Sequence, residues 1–285
     1  MKLLFALIQH CLPKQWLSRR MGSLAETKFK PVKYLFIFIF IKIFKVNMQE
    51  AELTSVSSYV NFNDFFTRAL KPETRPVCGE QEEIACPADG TISQLGDIDG
   101  GCILQAKGKE FTVTELLGGD EYLSQNFAGG KFLTVYLSPK DYHRVHMPYG
   151  GQLQTMVHVP GSLFSVNKAT TENISRLFAR NERVVSVFDT VAGPMAVVMV
   201  GAMIVASIET VWAGQITPYQ KIIRISHYPE NREEINLTKG EEMGRFKLGS
   251  TVVVLFGPDM VEWDTEFAAG ASVKMGQRLG TLINV

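Results

Sequence analysis

Thr251-Val252-Val253-Val254-Leu255-Phe256 is the stretch whose reading decides the fold. It is a short, unbroken apolar run rich in β-branched side chains, with no polar alternation. A strand facing water on one side would alternate, and a helix would need a longer periodic segment. The run therefore predicts a buried strand. Outward from it lie further segments rich in Val, Ile, Thr and Phe, punctuated by Gly and Pro. They fall at 91–95, 102–106, 132–137, 152–159, 183–188, 195–200, 202–211 and 221–225. Gly201 divides the apolar stretch 195–206 into two β-branched runs, which favours two strands over a membrane span. Short helices are expected at 113–117 and 121–127, and a capped one across 63–70, ended by Pro72. The expected class is α+β: a mostly antiparallel β core with short helices and an N-terminal membrane-associated helical region.

That N-terminal region differs in kind from the rest. Residues 1–46 hold nine Lys or Arg against Glu26 alone, a charge of +8, and the remaining residues sum to −8. A basic end on an acidic body needs an anionic partner. Leu3, Leu4, Leu7, Ile8 and Leu12 suit a short amphipathic helix, with Trp16 as an interfacial anchor. After Pro31 comes Tyr34-Leu35-Phe36-Ile37-Phe38-Ile39-Phe40-Ile41, followed by Lys42 and Lys45. This run falls short of the roughly 20 residues of a spanning helix. Its cationic flanks suit the headgroup layer of an anionic membrane rather than nucleic acid. The expected division is 1–47 for the membrane-associated region and 48–285 for one catalytic domain.

Bulk composition excludes little. The chain has 285 residues, 46% hydrophobic and 20% charged, which is ordinary for a globular protein with a real core. Cys11, Cys78, Cys86 and Cys102 show neither CxxC spacing nor a zinc pattern, so reduced thiols are expected. The six apolar residues 3–8 are too few for a signal peptide and lack a small-residue cleavage site, so no export is expected.

Three constellations carry chemistry. The first is Phe246-Lys247-Leu248-Gly249-Ser250-Thr251, which runs into the apolar strand. It lacks the second glycine and following helix of a hydrolase nucleophile elbow. A Ser hydroxyl can instead attack the carbonyl of its own preceding residue when the backbone is strained, and glycine there permits unhindered approach. Elimination from the resulting ester and hydrolysis would leave a pyruvoyl group. The second is Ser138-Pro139-Lys140-Asp141-Tyr142-His143-Arg144-Val145-His146-Met147-Pro148, two histidines on a loop after a strand, suited to moving protons. No third ligand sits at a telling distance, so no metal is expected. The third is Cys86-Pro87-Ala88-Asp89-Gly90-Thr91, where Asp89 is placed to orient a histidine.

Together these motifs resemble the bacterial, membrane-associated phosphatidylserine decarboxylases. The likeness extends to Phe164-Ser165-Val166-Asn167, Phe178-Ala179-Arg180-Asn181-Glu182-Arg183 and Glu209-Thr210-Val211-Trp212-Ala213-Gly214, and so covers nearly the whole chain. It implies a zymogen that cuts itself between Gly249 and Ser250 by means of an Asp89, His146 and Ser250 triad. The products would be a large chain, 1–249, and a small chain, 250–285, that begins with a pyruvoyl group made from Ser250. That covalent cofactor would form a Schiff base with phosphatidylserine in the anionic membrane, release carbon dioxide and give phosphatidylethanolamine. His143 would supply the proton that quenches the carbanion. The spacing alone does not separate His143 from His146, and their separate roles rest on the resemblance. A homodimer of processed units, peripheral on the cytoplasmic face of the cell membrane, is also implied. The rivals are a serine hydrolase, a non-catalytic membrane-surface protein and a pyruvoyl enzyme for a soluble amino acid.

Overall fold

The computed structural model describes residues 9, 14–203, 207–217, 222–228, 234–247 and 250–283; at 14, 15, 19 and 250 it describes the backbone alone. The amphipathic segment 3–12, except Gln9, and the Gly249 side of the expected cleavage link lie outside the described residues.

In chain order the strands are β1 Glu83–Ala85, β2 Gly90–Asp97, β3 Cys102–Ala106, β4 Lys109–Thr112, β5 Lys131–Leu137 and β6 Arg144–His146. Next come β7 Gly151–Val159, β8 Arg183–Thr190, β9 Gly193–Val200, β10 Ser207–Thr210, β11 Gly214–Gln215 and β12 Arg224–His227. The last are β13 Asn236–Leu237, β14 Glu242–Lys247, β15 Ser250–Phe256, β16 Val261–Trp263, β17 Ser272–Val273 and β18 Arg278–Leu282. The helices include α1 Lys14–Ala25, α2 Lys30–Phe44 and α3 Phe62–Phe66, with one-turn helices at Val113–Leu116 and Glu121–Gln125.

The α+β expectation holds, and the sheets are antiparallel. The main sheet runs β12-β7-β8-β9-β15-β5-β2-β17, with β13 also on β7. β15 lies inside it, paired to β9 on one edge and β5 on the other. Its side chains alternate between two cores: Val252, Val254 and Phe256 enter one, and Val253 and Leu255 the other. All five are buried. At about 1.5–3 kcal/mol each, their burial contributes on the order of 10 kcal/mol to holding this strand. A second sheet, β11-β10-β14-β6, and a third, β1-β18-β16, flank the main one.

The sequence reading overreached at 63–70. The helix there, α3, ends at Phe66; the Asn61 side chain caps it by accepting from the Asp64 amide at 2.9 Å. Beyond it the chain turns so that Leu70 bridges Ala51. β6 and β14, both unforeseen, pair with each other, because their charged side chains satisfy one another across the ladder (Arg144–Glu242, 2.8 Å).

α2 has Pro31 in its first turn and ends at Lys45 in the left-handed conformation. Phe40 packs its edge on Phe62, Phe65 and Phe66 of α3. The opposite side of α2 exposes Leu35, Phe38, Ile39 and Ile43.

Candidate active site

Sheet register gathers three distant segments at one end of the main sheet. Ser250 lies opposite Leu137, and Thr251 opposite Tyr136 of β5; Tyr136 in turn faces Thr91 of β2. β5 thus separates the starts of β15 and β2 by two strand spacings, about 10 Å. Gly90 makes this approach possible. A Cβ there would meet the Tyr136 carbonyl oxygen at 2.3 Å, so only glycine lets β2 begin so close to the end of β5. Asp89 precedes it, buried at the same end. The loop leaving β5 carries Asp141, Tyr142 and His143 over this end, and Asp141 pins it by accepting from the Ser138 amide (2.8 Å) and hydroxyl (2.7 Å).

The two histidines have distinct settings. His143 is fully buried, its ring 4.0 Å from that of Phe66. Its Nδ1 lies 2.9 Å from the Asp141 carbonyl oxygen, which can only accept; Nδ1 therefore carries the hydrogen and Nε2 is bare. Nε2 has no hydrogen-bond partner among the described residues. Burial, reinforced by the Arg68 charge, pushes the His143 pKa down to about 3, against the opposing pull of the Asp141 carbonyl and Asp89. His146 turns Nδ1 to the Gly240 carbonyl at 2.8 Å, and its Nε2 accepts from the Tyr142 hydroxyl at 3.0 Å. Burial lowers its proton affinity too, opposed by the Gly240 carbonyl.

Register also orders the histidines. The Phe246 amide donates to the His143 carbonyl at 3.0 Å, whereas His146 lies opposite Glu242. His143 is thus level with the end of β14 that leads into Ser250, and His146 lies further back along that strand.

Asp89 differs from expectation. Its carboxylate receives the Arg75 guanidinium, Nε at 2.8 and 3.0 Å and Nη2 at 2.5 Å, and the Met275 amide at 2.9 Å. Burial alone would lower the Arg75 pKa, but the bonds to Asp89 and Glu50 outweigh it and raise it. No Asp89–histidine hydrogen bond forms among the described residues. The tautomer-fixing contact expected of Asp89 is made instead by the carbonyls of Asp141 and Gly240. Asp89 reaches both histidines through its charge, which favours their protonated forms.

Cys86 is a buried free thiol, pushed by burial up to about 12, and is therefore inert. Among the described residues no group of three or more His, Cys, Asp or Glu is placed to hold a metal.

Residues 62–281 match the family model described as Phosphatidylserine decarboxylase, and residues 4–45 match a second, described as PSD. A curated relative from Ectopseudomonas mendocina is 57% identical over 278 residues, 97% of each chain. One from Pseudomonas fluorescens is 56% identical over 280 residues, 98% of this chain and 97% of its own. Both are named phosphatidylserine decarboxylase proenzyme. This chain belongs to the phosphatidylserine decarboxylase family.

Within this decarboxylase, sequence reasoning passed over Arg75, Arg68 and the hydroxyl of Tyr142. Arg75-Pro76 has no motif character, and its pairing to Asp89 is a product of the fold. Arg68 left a faint signal, as a lone cation just after Phe65 and Phe66.

Proposed function

We propose that this chain decarboxylates phosphatidylserine to phosphatidylethanolamine, after cutting itself between Gly249 and Ser250 to make a pyruvoyl group from Ser250. The observation that carries the reading is that Ser250 opens a doubly paired inner strand at the sheet end where Asp89 and the His143 loop converge. In the cleavage, the Ser250 hydroxyl attacks the Gly249 carbonyl, and the peptide becomes an ester. Loss of the α-proton expels the Gly249 carboxylate and leaves dehydroalanine, which takes up water and releases ammonia. We assign the base to His146, whose bare Nε2 already accepts the Tyr142 hydroxyl; Tyr142 lines the Asp89 cavity and can relay the proton. Asp89 stabilises the imidazolium that forms, acting through its charge.

The residues present fit a pyruvoyl group, because His143 offers a buried ring nitrogen that is otherwise unpartnered. The pyruvoyl carbonyl supplies a sink for the electron pair left as carbon dioxide departs. His143 begins neutral, so it first removes a proton from the headgroup ammonium. Its imidazolium is a strong acid in that buried setting and readily returns the proton to the substrate carbon.

We assign residues 1–47 to the membrane surface and 48–285 to the decarboxylase domain. Among the described residues no helix is long and apolar enough to cross a membrane. The exposed apolar stripe of α2, beside Lys42 and Lys45, supports a peripheral place on an anionic, cytoplasmic leaflet. A homodimer of processed units completes the proposal. Denaturing electrophoresis with mass spectrometry tests it. Two chains are expected, the smaller starting at a keto-acyl group from Ser250; active protein in one intact chain would refute it.

A further inference from the structure

We propose that Arg68 is the floor of a subsite for the phosphodiester of the lipid headgroup, with Lys45 and Lys140 at its rim. The proposal rests on the decarboxylase reading and deepens it.

A cavity of about 480 Å³ opens beside Asp89 and Tyr142, and five cations line it. Two of them, Arg75 and Lys274, are already paired with Asp89. Arg68 is not. It is 4% exposed, yet among the described residues only its Nη2 finds a hydrogen-bond acceptor, the Lys140 carbonyl at 3.1 Å. The Phe65 ring lies 5.5 Å from the guanidinium carbon. Nε and Nη1 are buried without a partner among the described residues. A guanidinium stays charged at any physiological pH, and leaving two of its donors buried and unmet is costly. Nε–H and Nη1–H point to opposite sides of the guanidinium, so a bidentate oxyanion would meet one of them together with the second hydrogen of Nη2. Lys45 and Lys140, both exposed, add positive charge to the same cavity.

Two anions are available on the substrate. The carboxylate loses its charge as carbon dioxide forms, so an arginine holding it would stabilise the ground state more than the transition state and slow the reaction. The phosphodiester keeps its charge throughout, and gripping it costs nothing at the chemical step. The geometry agrees. Lys45 ends α2, whose apolar stripe faces outward, while Arg68 lines the same cavity beside Asp89 and Tyr142. A lipid with its chains along α2 would bring its phosphate to this rim first and its serine further in.

The test is equilibrium binding of glycerophosphoserine by calorimetry to the uncut full chain carrying Ser250→Ala, alone and with Arg68→Lys. Removing the fork is expected to weaken binding on the order of tenfold. The exposed pair Lys45→Gln with Lys140→Gln cannot unfold the core and should weaken it several-fold. Inorganic phosphate should bind more weakly than glycerophosphoserine, with the same dependence on Arg68, and free serine should not compete. Unchanged affinity in both variants would overturn the proposal, as would competition by serine. Phosphate binding as tightly as glycerophosphoserine would reduce the site to a general anion hole and remove the headgroup assignment. In the cleavable protein, Arg68→Lys should still be cut and should raise KM for short-chain phosphatidylserine with little change in kcat. Wild-type protein that neither cuts itself nor releases carbon dioxide would defeat the decarboxylase reading alone, since the binding measurement stands apart from turnover.

Discussion

β15 and α2 are both dense runs of apolar residues, and the fold treats them in opposite ways. In β15 every side chain from Thr251 to Phe256 is buried, because two neighbouring strands satisfy the backbone and two cores receive alternate side chains. In α2 the backbone is satisfied within the helix, so no neighbour is required; Ile37 and Lys33 are its buried residues, and Ile43 is 66% exposed. The buried Lys33 donates its ammonium to the Tyr59 carbonyl at 2.5 Å. Apolarity therefore does not by itself say what a segment faces. Hydrogen bonding decides how many sides must be covered, and the helix can leave one apolar side exposed.

The comparison breaks most completely at the start of β15. Ser250→Ala should yield a single uncut chain and no carbon dioxide release, read by gel and by headspace assay. His143 lies where the two regions meet, since Phe66 touches both it and Phe40. His143→Ala should still be cut, but its decarboxylation rate should fall by about 10²–10⁴, as for loss of a general acid–base group; normal turnover would remove it from the mechanism. A charge then separates the two runs. Val254→Asp should cost about 4 kcal/mol or more and leave little folded protein. Ile43→Asp should keep the melting temperature nearly unchanged and weaken cosedimentation with anionic vesicles on the order of tenfold. A large drop in melting temperature for Ile43→Asp would mean that α2 is core after all.

The smallest effect concerns pH. His143 has a folded-state pKa of about 3, below the unfolded value near 6.5. The unfolded chain thus binds the extra proton first, and stability present above pH 6.5 is lost as pH falls toward 3. Between pH 6.5 and 5 the urea midpoint of uncut Ser250→Ala protein should drop by the equivalent of about 1–2 kcal/mol. The drop should be shallower with His143→Asn, with His146 supplying the remainder. Identical slopes would place the titration elsewhere.

Much of the sheet was legible because its strands are β-branched, buried and bounded by glycine. Residues 132–137 sit within β5, and 195–200 within β9. β14 was not legible, since Glu242, Arg245 and Lys247 give it the look of a loop until Arg144 and Glu209 are placed opposite. Asp89, His143, His146 and Ser250 could be proposed from motifs, but the hydrogen bonds around them could not. That Asp89 is held by Arg75, and that carbonyls set both histidine tautomers, depends on long-range pairing that local sequence does not encode.

The inner position of β15 has a consequence for the life history of the molecule. As one chain, the protein folds at a rate independent of its concentration. If the chain is divided ahead of Ser250 as proposed, the same architecture could be regained after melting only by a collision between two polypeptides, one of them 36 residues long and half of it hydrophobic. Maturation would then be a one-way door. On that proposal folding would have to come before the cut, and a mature enzyme that unfolded in dilute solution would not return, so its lifetime would be set by how slowly it opens rather than by an equilibrium.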